Sequence, residues 1–583
     1  MPVYDQVVIG SGFGGAVAAL RLSEKGYRVL LVERGKRWRS EDFPATNMNL
    51  RRFLWLPRLG LTGTWKITPT RRLVALGGSG LGGGSLVYAN TVYIPGRDIF
   101  ESEHWRHTRR DWYDVLLPFY GLAQRMLGVG TGHHEGIADR LLDEVACEMG
   151  RGATYQRVDM AVLQEYQRRE GAAADPYFNG DGPARHACNL CAGCMVGCRY
   201  DAKNTLDRNY LYFAERNGVE VLTEAEALSI RALPDAGDDD GSGGYEVLLR
   251  DSTGLVRRRH RVRTQGVVVS AGTMGTLKLL FDSKHRYGGL SRLSAELGAR
   301  IRCNSETFYS VDFDTRRHPA RDIPIGVAVN ASFRPDDVTM IEPVRFGAGS
   351  DAMYLASNVV PLTDAGRLPR PLALLLNCLR RPLAALRLLS PFGKSRRSVL
   401  LMIMQSTDAY VHARWQAAWT RLFRRGMTLV RERGDARLTT HFPIGQEVAR
   451  RYAAKAGGAA GNLLLDILAD VPASGHIMGG ATIGAGPGSG VVDHVGRVFG
   501  YRNLRVLDGS IIPGNLAVNP SLTILALAEY AMSRVPVVSA ERAGGIRPVL
   551  FSAPLPGSVS ALDGAGNLLE RATRLSRAAE MPL

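Results

Sequence analysis

The stretch YDQVVIGSGFGGAVAALRLSEKGYRVLLVERG, residues 4–35, contains two short apolar runs separated by a glycine-rich turn and an apolar-periodic segment. Val7–Ile9 is continuously apolar, as expected of a strand that is buried on both faces. Gly10–Gly15 fits the pattern G-x-G-x-x-G, and a predicted helix then leads to the second run, Val29–Val32, and to Glu33. A glycine turn in this strand–helix–strand context predicts a dinucleotide-binding unit.

The glycines and the acidic residue of this unit each have a mechanical role. We expect Gly10 to permit the tight turn, Gly12 to let the backbone approach a pyrophosphate, and Gly15 to let the helix pack closely on the strand. The pyrophosphate would lie at the helix N-terminus, where free N–H groups favour anions. Glu33, which follows the glycines by about 20 residues, is placed to accept hydrogen bonds from a ribose diol.

The composition is that of a globular protein. The chain has 583 residues, 45% of them hydrophobic and 22% charged, which predicts two or more compact units. Lys and Arg exceed Asp and Glu by 17; because no nucleic-acid-binding module accompanies this charge, we interpret it as an arginine-rich solvated surface. The first strand begins by Tyr4, which leaves no room for a signal peptide, and no apolar run could form a membrane-spanning helix. We therefore expect a cytoplasmic protein.

A second glycine-rich stretch, Leu76–Asn90, has six glycines between positions 77 and 84. Such a run is not expected inside a regular helix or strand. It is not an ordinary flexible linker either, because the apolar Leu86–Tyr88 follows it directly. The backbone could instead press against a planar, charged cofactor. The candidate contacts are Gly78, Gly83, Gly84, Ser85 and Asn90.

The remaining chain alternates between pieces of this nucleotide-binding domain and other segments. Residues 267–270 form another buried strand that runs into a glycine turn, so a domain built from separated pieces is predicted. We divide the chain into a nucleotide-binding domain (1–105, 200–302 and 473–545), a mostly helical insertion with a Cys-rich segment (106–199), a substrate domain on an antiparallel sheet (303–472) and a C-terminal tail (546–583).

The substrate domain contains a basic segment. Residues 367–397 mix leucines with seven arginines and Lys394, and Trp415 and Trp419 lie among further arginines. This composition is typical of a helix that lies on a membrane surface. Leucine-rich helices are more often core and arginines more often a solvated face, so peripheral membrane contact and a plain surface both remain open.

The residues that most strongly indicate a catalytic site lie near the C-terminus. His476 begins the run His-Ile-Met-Gly-Gly, and a strand ends at Asp508 and Gly509. A further helix starts near Asn519 and Ser521, either of which could cap it. A lone histidine is more often structural, but small residues open space around His476. A helix N-terminus at this place would favour a cofactor ring that becomes anionic on reduction.

Taken together, these motifs resemble the glucose–methanol–choline (GMC) oxidoreductase family, and within it the bacterial cholesterol-oxidase-like branch. They are the GSGFGG turn with Glu33, the GLGGGSLVYAN loop, the VVVSAGTMGT stretch at 267–276, and HIMGG followed by VLDGS, IPG and NPSLTILALAE. The resemblance implies an α/β fold: a Rossmann-type FAD-binding domain interleaved with an α+β substrate domain on a mostly antiparallel sheet. No histidine precedes His104, so a histidyl bond from the glycine loop is excluded and FAD should be non-covalent.

The resemblance also implies site residues. His476 matches the active-site histidine and Asn519 its paired asparagine, so that the alcohol would lose a hydride to flavin N5 while a neutral imidazole takes the hydroxyl proton. Asp508 and Gly509 match the turn near the flavin diphosphate, and Ala271 and Gly272 lie in a further matching motif. Glu342 resembles the acid that shifts a steroid double bond; alternatively, it is a strand glutamate paired with Arg345.

A run of cysteines departs from the simpler family pattern. Cys188, Cys191, Cys194 and Cys198 have the C-x2-C-x2-C-x3-C spacing of bacterial ferredoxins, but Arg199 follows in place of proline. An iron–sulfur cluster, a zinc ion and a metal-free turn all remain open. A cluster would favour a dehydrogenase, whereas direct reoxidation by O₂ would make the enzyme an oxidase.

The expected activity is the oxidation of a secondary alcohol on a bulky apolar ring system, such as the 3β-hydroxyl of cholesterol, to the ketone. The first alternative is a GMC-type dehydrogenase for other bulky or long-chain alcohols with an electron acceptor other than oxygen. The alternative of another class is a flavin-binding or membrane-surface protein without turnover.

Overall fold

The structure, a computed structural model, describes residues 4–108, 110–167, 175–235, 238–364, 368–380, 382–390, 392–418, 423–547 and 549–552. Trp419 and most of the tail predicted at 546–583 lie outside these residues. In the described part of the chain, no helix is long and apolar enough to cross a membrane.

Short strands make up both sheets of the core and several hairpins. The strands are β1 (Tyr4–Ile9), β2 (Val29–Val32), β3 (Trp55–Leu56), β4 (Leu61–Thr62), β5 (Trp65–Pro69), β6 (Val74–Gly78), β7 (Gly130–Thr131), β8 (Gln156–Arg157), β9 (Asp159–Met160), β10 (Glu220–Leu222), β11 (Ala225–Ala232), β12 (Tyr245–Asp251), β13 (Arg259–Val269), β14 (Ala299–Arg302), β15 (Thr307–Asp312), β16 (Ala331–Ser332), β17 (Thr339–Val344), β18 (Val359–Pro361), β19 (Ser398–Gln405), β20 (His412–Ala417), β21 (Arg425–Val430), β22 (Ala460–Leu463), β23 (Ala473–Ser474), β24 (Met478–Gly480) and β25 (Leu504–Val506).

Helices surround the two sheets. They are α1 (Phe13–Glu24), α2 (Leu50–Phe53), α3 (Arg97–Phe100), α4 (Glu103–Arg106), α5 (Trp112–Met126), α6 (Ile137–Glu148), α7 (Tyr210–Arg216), α8 (Thr273–Phe281), α9 (Ala352–Ser357), α10 (Arg370–Arg380), α11 (Pro382–Leu389), α12 (Pro443–Ala456), α13 (Leu464–Leu468), α14 (Ser521–Ser533) and α15 (Ala540–Gly544).

The first sheet is built around β1. Its parallel part has the order β10-β2-β1-β13-β25, with Val7 opposite both Leu30 and Val267. The central stretches of these strands, Val7–Ile9, Val29–Val32 and Val267–Val269, are apolar and buried, as expected where helices cover both faces of a parallel sheet. β13 is longer than predicted: its first half pairs antiparallel with β12, and its second half is the parallel strand.

The second sheet is antiparallel, in the order β17-β19-β15-β22-β18. Because side chains alternate along a strand, each strand contributes to both faces. Tyr309, Ile341 and Leu401 pack in one cluster with residues of α6 and α12. Met340, Val344 and Met402 point to the opposite face and belong to the core of the nucleotide-binding domain. The two sheets of the predicted fold class are thus both present.

Three local predictions are wrong. Between 149 and 167 the predicted helical insertion consists of short strands and turns, with no α-helix among its described residues. Trp415 lies on β20 of a hairpin and not on an interfacial helix. Gly77 and Gly78 end β6, where they pair with β5, so part of the glycine-rich stretch is a strand.

Candidate active site

A large cavity lies at the carboxyl ends of the parallel strands. Gly10 follows β1, Glu33 follows β2, Ser270 follows β13 and Asp508 lies just beyond β25, and all four line the cavity. Ligands bind at this edge of open α/β sheets. Phe308, Val344 and Met402 of the second sheet also line it, so one face of that sheet forms an apolar wall. The cavity is therefore placed between a nucleotide-binding edge and an apolar surface.

The glycines that line the cavity show whether a flat cofactor has room there. At Gly12, Gly77, Gly272 and Gly475, all of which line the cavity, an added Cβ would meet no protein atom within 4 Å. Side chains at these positions would occupy the cavity itself, so the backbone is left bare toward a ligand. Gly15 has a different role, because its Cβ would lie 1.9 Å from the Gly10 carbonyl oxygen. This is the close packing of helix on strand that the sequence predicted.

Most of the predicted cofactor residues meet at this cavity. Those that line it are Gly10, Gly12, Glu33, Gly78, Gly83, Gly84, Ala271, Gly272, Asp508, Gly509, Asn519 and Ser521. Ser85 and Asn90 are not among them, and their contact with the cofactor stays a prediction. The Ser85 hydroxyl donates to the Gly82 carbonyl and accepts from the Leu206 amide, so it holds the loop in place. Asn90 is fully buried.

Glu33 links the two glycine-rich segments. Its carboxylate accepts from the Ser11 hydroxyl at 2.7 Å and from the amides of Gly35 at 2.8 Å and Gly80 at 3.3 Å. These bonds fix the second glycine loop against the first turn. Contact of Glu33 with a ribose stays a prediction.

The N-terminus of α14 points to the cavity without a side-chain cap. Pro520 is the N-cap residue and makes no side-chain hydrogen bond, so the predicted capping by Asn519 or Ser521 is wrong. Instead, Asn519 Oδ1 and Ser521 Oγ are buried and have no hydrogen-bond partner among the described residues. Buried polar atoms without partners are costly. Both residues line the cavity, where a ligand with donor groups would satisfy them.

His476 lies in the turn between β23 and β24 and lines the same cavity as Asn519. Its Nδ1 is hydrogen-bonded to the carboxylate of Glu306, a residue that is 1% exposed and immediately precedes β15. Burial alone would lower the pKa of His476, but the charge and hydrogen bond of Glu306, together with Glu342, raise it above the usual value. The imidazole is thus a stronger base than a free histidine.

Glu342 lies on β17 between Met340 and Val344, on the face toward the nucleotide-binding domain, and is not itself among the residues that line the cavity. Its Oε1 accepts a hydrogen bond of 2.6 Å from the Tyr93 hydroxyl, and its Oε2 is buried without a partner among the described residues. Burial raises the pKa of Glu342 to about 7. The alternative partner Arg345 instead forms a buried ion pair with Asp139. The strand-pair interpretation of Glu342 is therefore wrong.

The four cysteines are reduced and are not arranged as a metal site. Within the described residues, which include all four, no group of three or more His, Cys, Asp or Glu side chains could hold a metal ion. Burial raises the pKa of Cys191 to about 11 and also raises the pKa of Cys188 and of Cys194. The segment has a structural contact instead: Lys203 Nζ donates to the carbonyls of Cys194 and Tyr88. The cluster and zinc interpretations thus find no support.

The sequence did not point to Glu306 or Tyr93. Glu306 lies in the run Cys-Asn-Ser-Glu-Thr at the start of a strand, which has no recognisable polar pattern, and its partner is 170 residues away. Tyr93 is likewise 249 residues from Glu342. Only the packing of the second sheet on the first brings Glu306 to the cavity and Tyr93 to Glu342.

Comparisons with known proteins agree with this geometry. The family model described as GMC oxidoreductase matches residues 405–528, and that of an NAD(P)-binding Rossmann-like domain matches residues 8–48. A protein of Acinetobacter baumannii named cholesterol oxidase is 39% identical over 536 residues, which are 91% of this chain and 94% of the relative. A cholesterol oxidase of Mycobacterium tuberculosis is 41% identical over 549 residues, which are 92% of this chain and 91% of the relative.

Solved structures share the fold at low identity. Pyridoxine 4-oxidase from Mesorbium loti aligns with a TM-score of 0.56 and 15% identity over 90% of this chain and 98% of that one. An FAD-dependent oxidoreductase from Chaetomium thermophilum gives a TM-score of 0.54 at 15% identity, over 91% and 98% of the two chains. The chain belongs to the GMC oxidoreductase family, in which it falls with the bacterial cholesterol oxidases as an FAD-dependent alcohol oxidoreductase.

Proposed function

We propose that the chain oxidises the 3β-hydroxyl group of a sterol such as cholesterol to the 3-ketone. The observation that carries the proposal is that His476 and Asn519 line one cavity with a bare glycine cradle on one side and the apolar side chains of Phe308, Val344 and Met402 on the other. Such a space suits a rigid apolar alcohol. The two relatives named cholesterol oxidase support the same substrate class.

The side chains divide the work as follows. Bound FAD would accept the hydride from the carbinol carbon. His476 hydrogen-bonds to the substrate hydroxyl and takes its proton, which gives the ketone; such acid–base help contributes about 10²–10⁴ in rate. Asn519 orients the hydroxyl oxygen through its amide. The apolar wall excludes water and fixes the ring system beside the cofactor.

Glu342 extends the proposal to a second step, in which the double bond of the ketone moves into conjugation. A carboxyl group with a pKa of about 7 in an apolar site can release and return a proton near neutral pH. We expect Glu342→Gln to oxidise cholesterol but to release the unconjugated 3-ketone. Chromatography of the products separates the two ketones, and an unchanged conjugated product would exclude this role.

The test of the main proposal is anaerobic reduction of the flavin by cholesterol in His476→Ala and Asn519→Ala. We expect reduction to slow by about 10²-fold or more in His476→Ala while the FAD content is unchanged. His260→Ala is the matched control, because His260 lies half exposed on β13, where it contacts Asp251. Normal reduction in both site variants would refute the proposed site, and a protein that takes up no FAD would refute the function.

Oxygen is the proposed electron acceptor, and FAD is proposed to be non-covalent. The names of the two relatives support oxygen as the acceptor. Non-covalent binding is supported by the lining of the cavity, in which His476 is the one histidine among the described residues. We expect one H₂O₂ per ketone and release of free FAD by acid precipitation. Ketone formation that needs an added quinone would favour the dehydrogenase.

A second proposal, peripheral contact with an anionic membrane, rests on α10 and α11. Leu372, Leu375 and Leu379 are 44–68% exposed at helical spacing on α10, and Leu386 of α11 is 68% exposed. Between residues 365 and 407 the sequence has eight Lys or Arg and no Asp or Glu. An exposed apolar face in a basic segment is typical of helices that lie on anionic lipid.

The test is sedimentation with lipid vesicles. We expect binding to vesicles that contain phosphatidylglycerol, weaker binding to pure phosphatidylcholine, and loss of binding in Leu375→Asp/Leu379→Asp. Leu255→Asp is the control, since Leu255 is fully exposed in the turn between β12 and β13. Equal binding by the two variants, or none by the unaltered chain, would contradict the proposal.

A further inference from the structure

Glu306 is an acidic side chain inside the active site that neither the sequence pattern nor the proposed chemistry assigns. It is 1% exposed, lines the cavity, and has Nδ1 of His476 as its one side-chain hydrogen-bond partner in the described part of the chain. A buried carboxylate with a single partner is costly to keep unless that contact has a use. The position of Glu306 therefore calls for an explanation.

The backbone around Glu306 ties it to both halves of the site. Asn304 Nδ2 donates to the Val518 carbonyl at 2.9 Å, directly before Asn519. Arg302, at the end of β14, lies opposite Met478 of β24, two residues after His476. Ser305, immediately before Glu306, has φ +47°, a left-handed conformation that is unfavourable for serine, and its hydroxyl bonds to Thr407. Strain of this kind is maintained where surrounding contacts determine the geometry of a functional site.

The chemistry of the two groups determines which of them donates the hydrogen bond. An ionised carboxylate only accepts hydrogen bonds, so Nδ1 of His476 carries the proton that it donates to Glu306. The other ring nitrogen, Nε2, is then unprotonated in the neutral imidazole and has no partner among the described residues. A histidine in the other tautomer would present an N–H to the substrate hydroxyl and could not take its proton.

We propose that Glu306 is a positioning residue that holds His476 in the Nδ1-protonated tautomer, with Nε2 as the base for the substrate hydroxyl. This inference rests on the proposed function and assigns one further residue to it. After proton transfer the imidazole becomes a cation, and the carboxylate of Glu306 stabilises that charge. The logic is that of the carboxylate behind the histidine in Ser-His-Asp triads.

The titratable groups near His476 determine how the rate of flavin reduction should depend on pH. They are Glu306, in direct contact, and Glu342, which accepts from Tyr93, with the buried thiol of Cys303 close to Glu306. The two carboxylates raise the pKa of His476 above 6.5. Because the base must be unprotonated, flavin reduction should rise with pH through a midpoint above about 6.5.

The test compares Glu306→Gln with the unaltered holoenzyme in anaerobic flavin reduction between pH 5 and pH 9. We expect the rate at high pH to fall about 10- to 100-fold, the loss typical of a charged hydrogen bond. The acid midpoint should also move to lower pH, because the main group that raises the pKa of His476 is gone. Glu306→Asp should restore part of the rate. Glu296→Gln, ten residues earlier, is the control, because the Glu296 side chain is 32% exposed, pairs with Arg300 and does not line the cavity.

The outcomes separate this inference from the proposed function. If Glu306→Gln keeps both rate and midpoint, or loses rate with an unmoved midpoint, the positioning role is wrong, because a purely structural defect would not shift a pKa. If His476→Ala also reduces FAD normally, the proposed function itself fails. Should Glu306→Gln not hold FAD, nitrogen-15 NMR of histidine in the unaltered holoenzyme above the midpoint decides: a protonated Nδ1 on His476 supports the role and a protonated Nε2 overturns it.

Discussion

The carboxyl group of Glu342 is fully buried and bonds to a neutral hydroxyl, that of Tyr93. Water would solvate its charged form much better than this site does, which is why burial raises its pKa to about 7. The same property that would let Glu342 exchange a proton near neutral pH therefore has a cost in stability. Activity and stability are opposed at this one side chain.

We predict that Glu342→Gln stabilises the folded chain increasingly as the pH rises. Between the ordinary pKa of 4.5 and about 7 the folded state keeps a proton that the unfolded state releases, so stability falls with rising pH. Because a tenfold change in proton affinity is worth about 1.4 kcal/mol, the penalty above pH 7 approaches about 3 kcal/mol as an upper limit. Glutamine has no such penalty and still accepts from Tyr93. Urea unfolding of Glu342→Gln and of the unaltered chain at pH 5 and pH 8 measures their difference in stability. The same difference at both pH values would contradict the prediction.

At the scale of the element, the turn between β1 and α1 contains glycines with opposite surroundings. A Cβ at Gly12 would point into the open cavity, whereas a Cβ at Gly14 would lie 1.7 Å from the Leu507 carbonyl oxygen. The first glycine leaves room for a ligand. The second allows the helix to pack against the strand end after β25. One motif therefore serves binding and folding through different residues.

We predict that Gly12→Ala and Gly14→Ala separate these roles. Gly12 has an ordinary φ of −70°, so alanine should leave the stability of the FAD-free chain unchanged while weakening FAD binding about tenfold or more. Gly14→Ala should destabilise even the FAD-free chain by about 1–3 kcal/mol, as overpacking does. Thermal unfolding without FAD and fluorescence titration with FAD measure the two effects. Unchanged affinity in Gly12→Ala would mean that the turn does not face the cofactor.

At the scale of the whole molecule, local sequence patterns predicted the structural units and their order along the chain. They predicted the contacts between residues of different units less well. The first βαβ unit and the run from His476 to α14 are short-range features, and their residues meet at the cavity as expected. The pairing of Glu306 with His476 depends on how one sheet packs on the other, which no window of sequence contains. The cysteine run illustrates the converse: its spacing is that of a metal-binding motif, but the described residues contain no group of three or more His, Cys, Asp or Glu side chains that could hold a metal ion.

The two ends of the chain are also joined by a buried ion pair, which yields a last prediction. Arg21 of α1 bonds through two nitrogens to both carboxylate oxygens of Glu529 of α14, with side chains 1% and 0% exposed. Arg21 keeps a second buried partner, Glu24, at its Nη1 nitrogen. Glu529→Gln therefore loses a charged hydrogen-bonded contact without leaving Arg21 unpaired, and should cost about 1.5–3 kcal/mol. The exposed pair of Arg28 with Asp5 is the control, where Asp5→Asn should cost about 1 kcal/mol or less. Since α1 and α14 both begin at the cavity, chemical unfolding of Glu529→Gln should release FAD in the same transition; FAD retained after the helices unfold would show that the cofactor site does not need both ends.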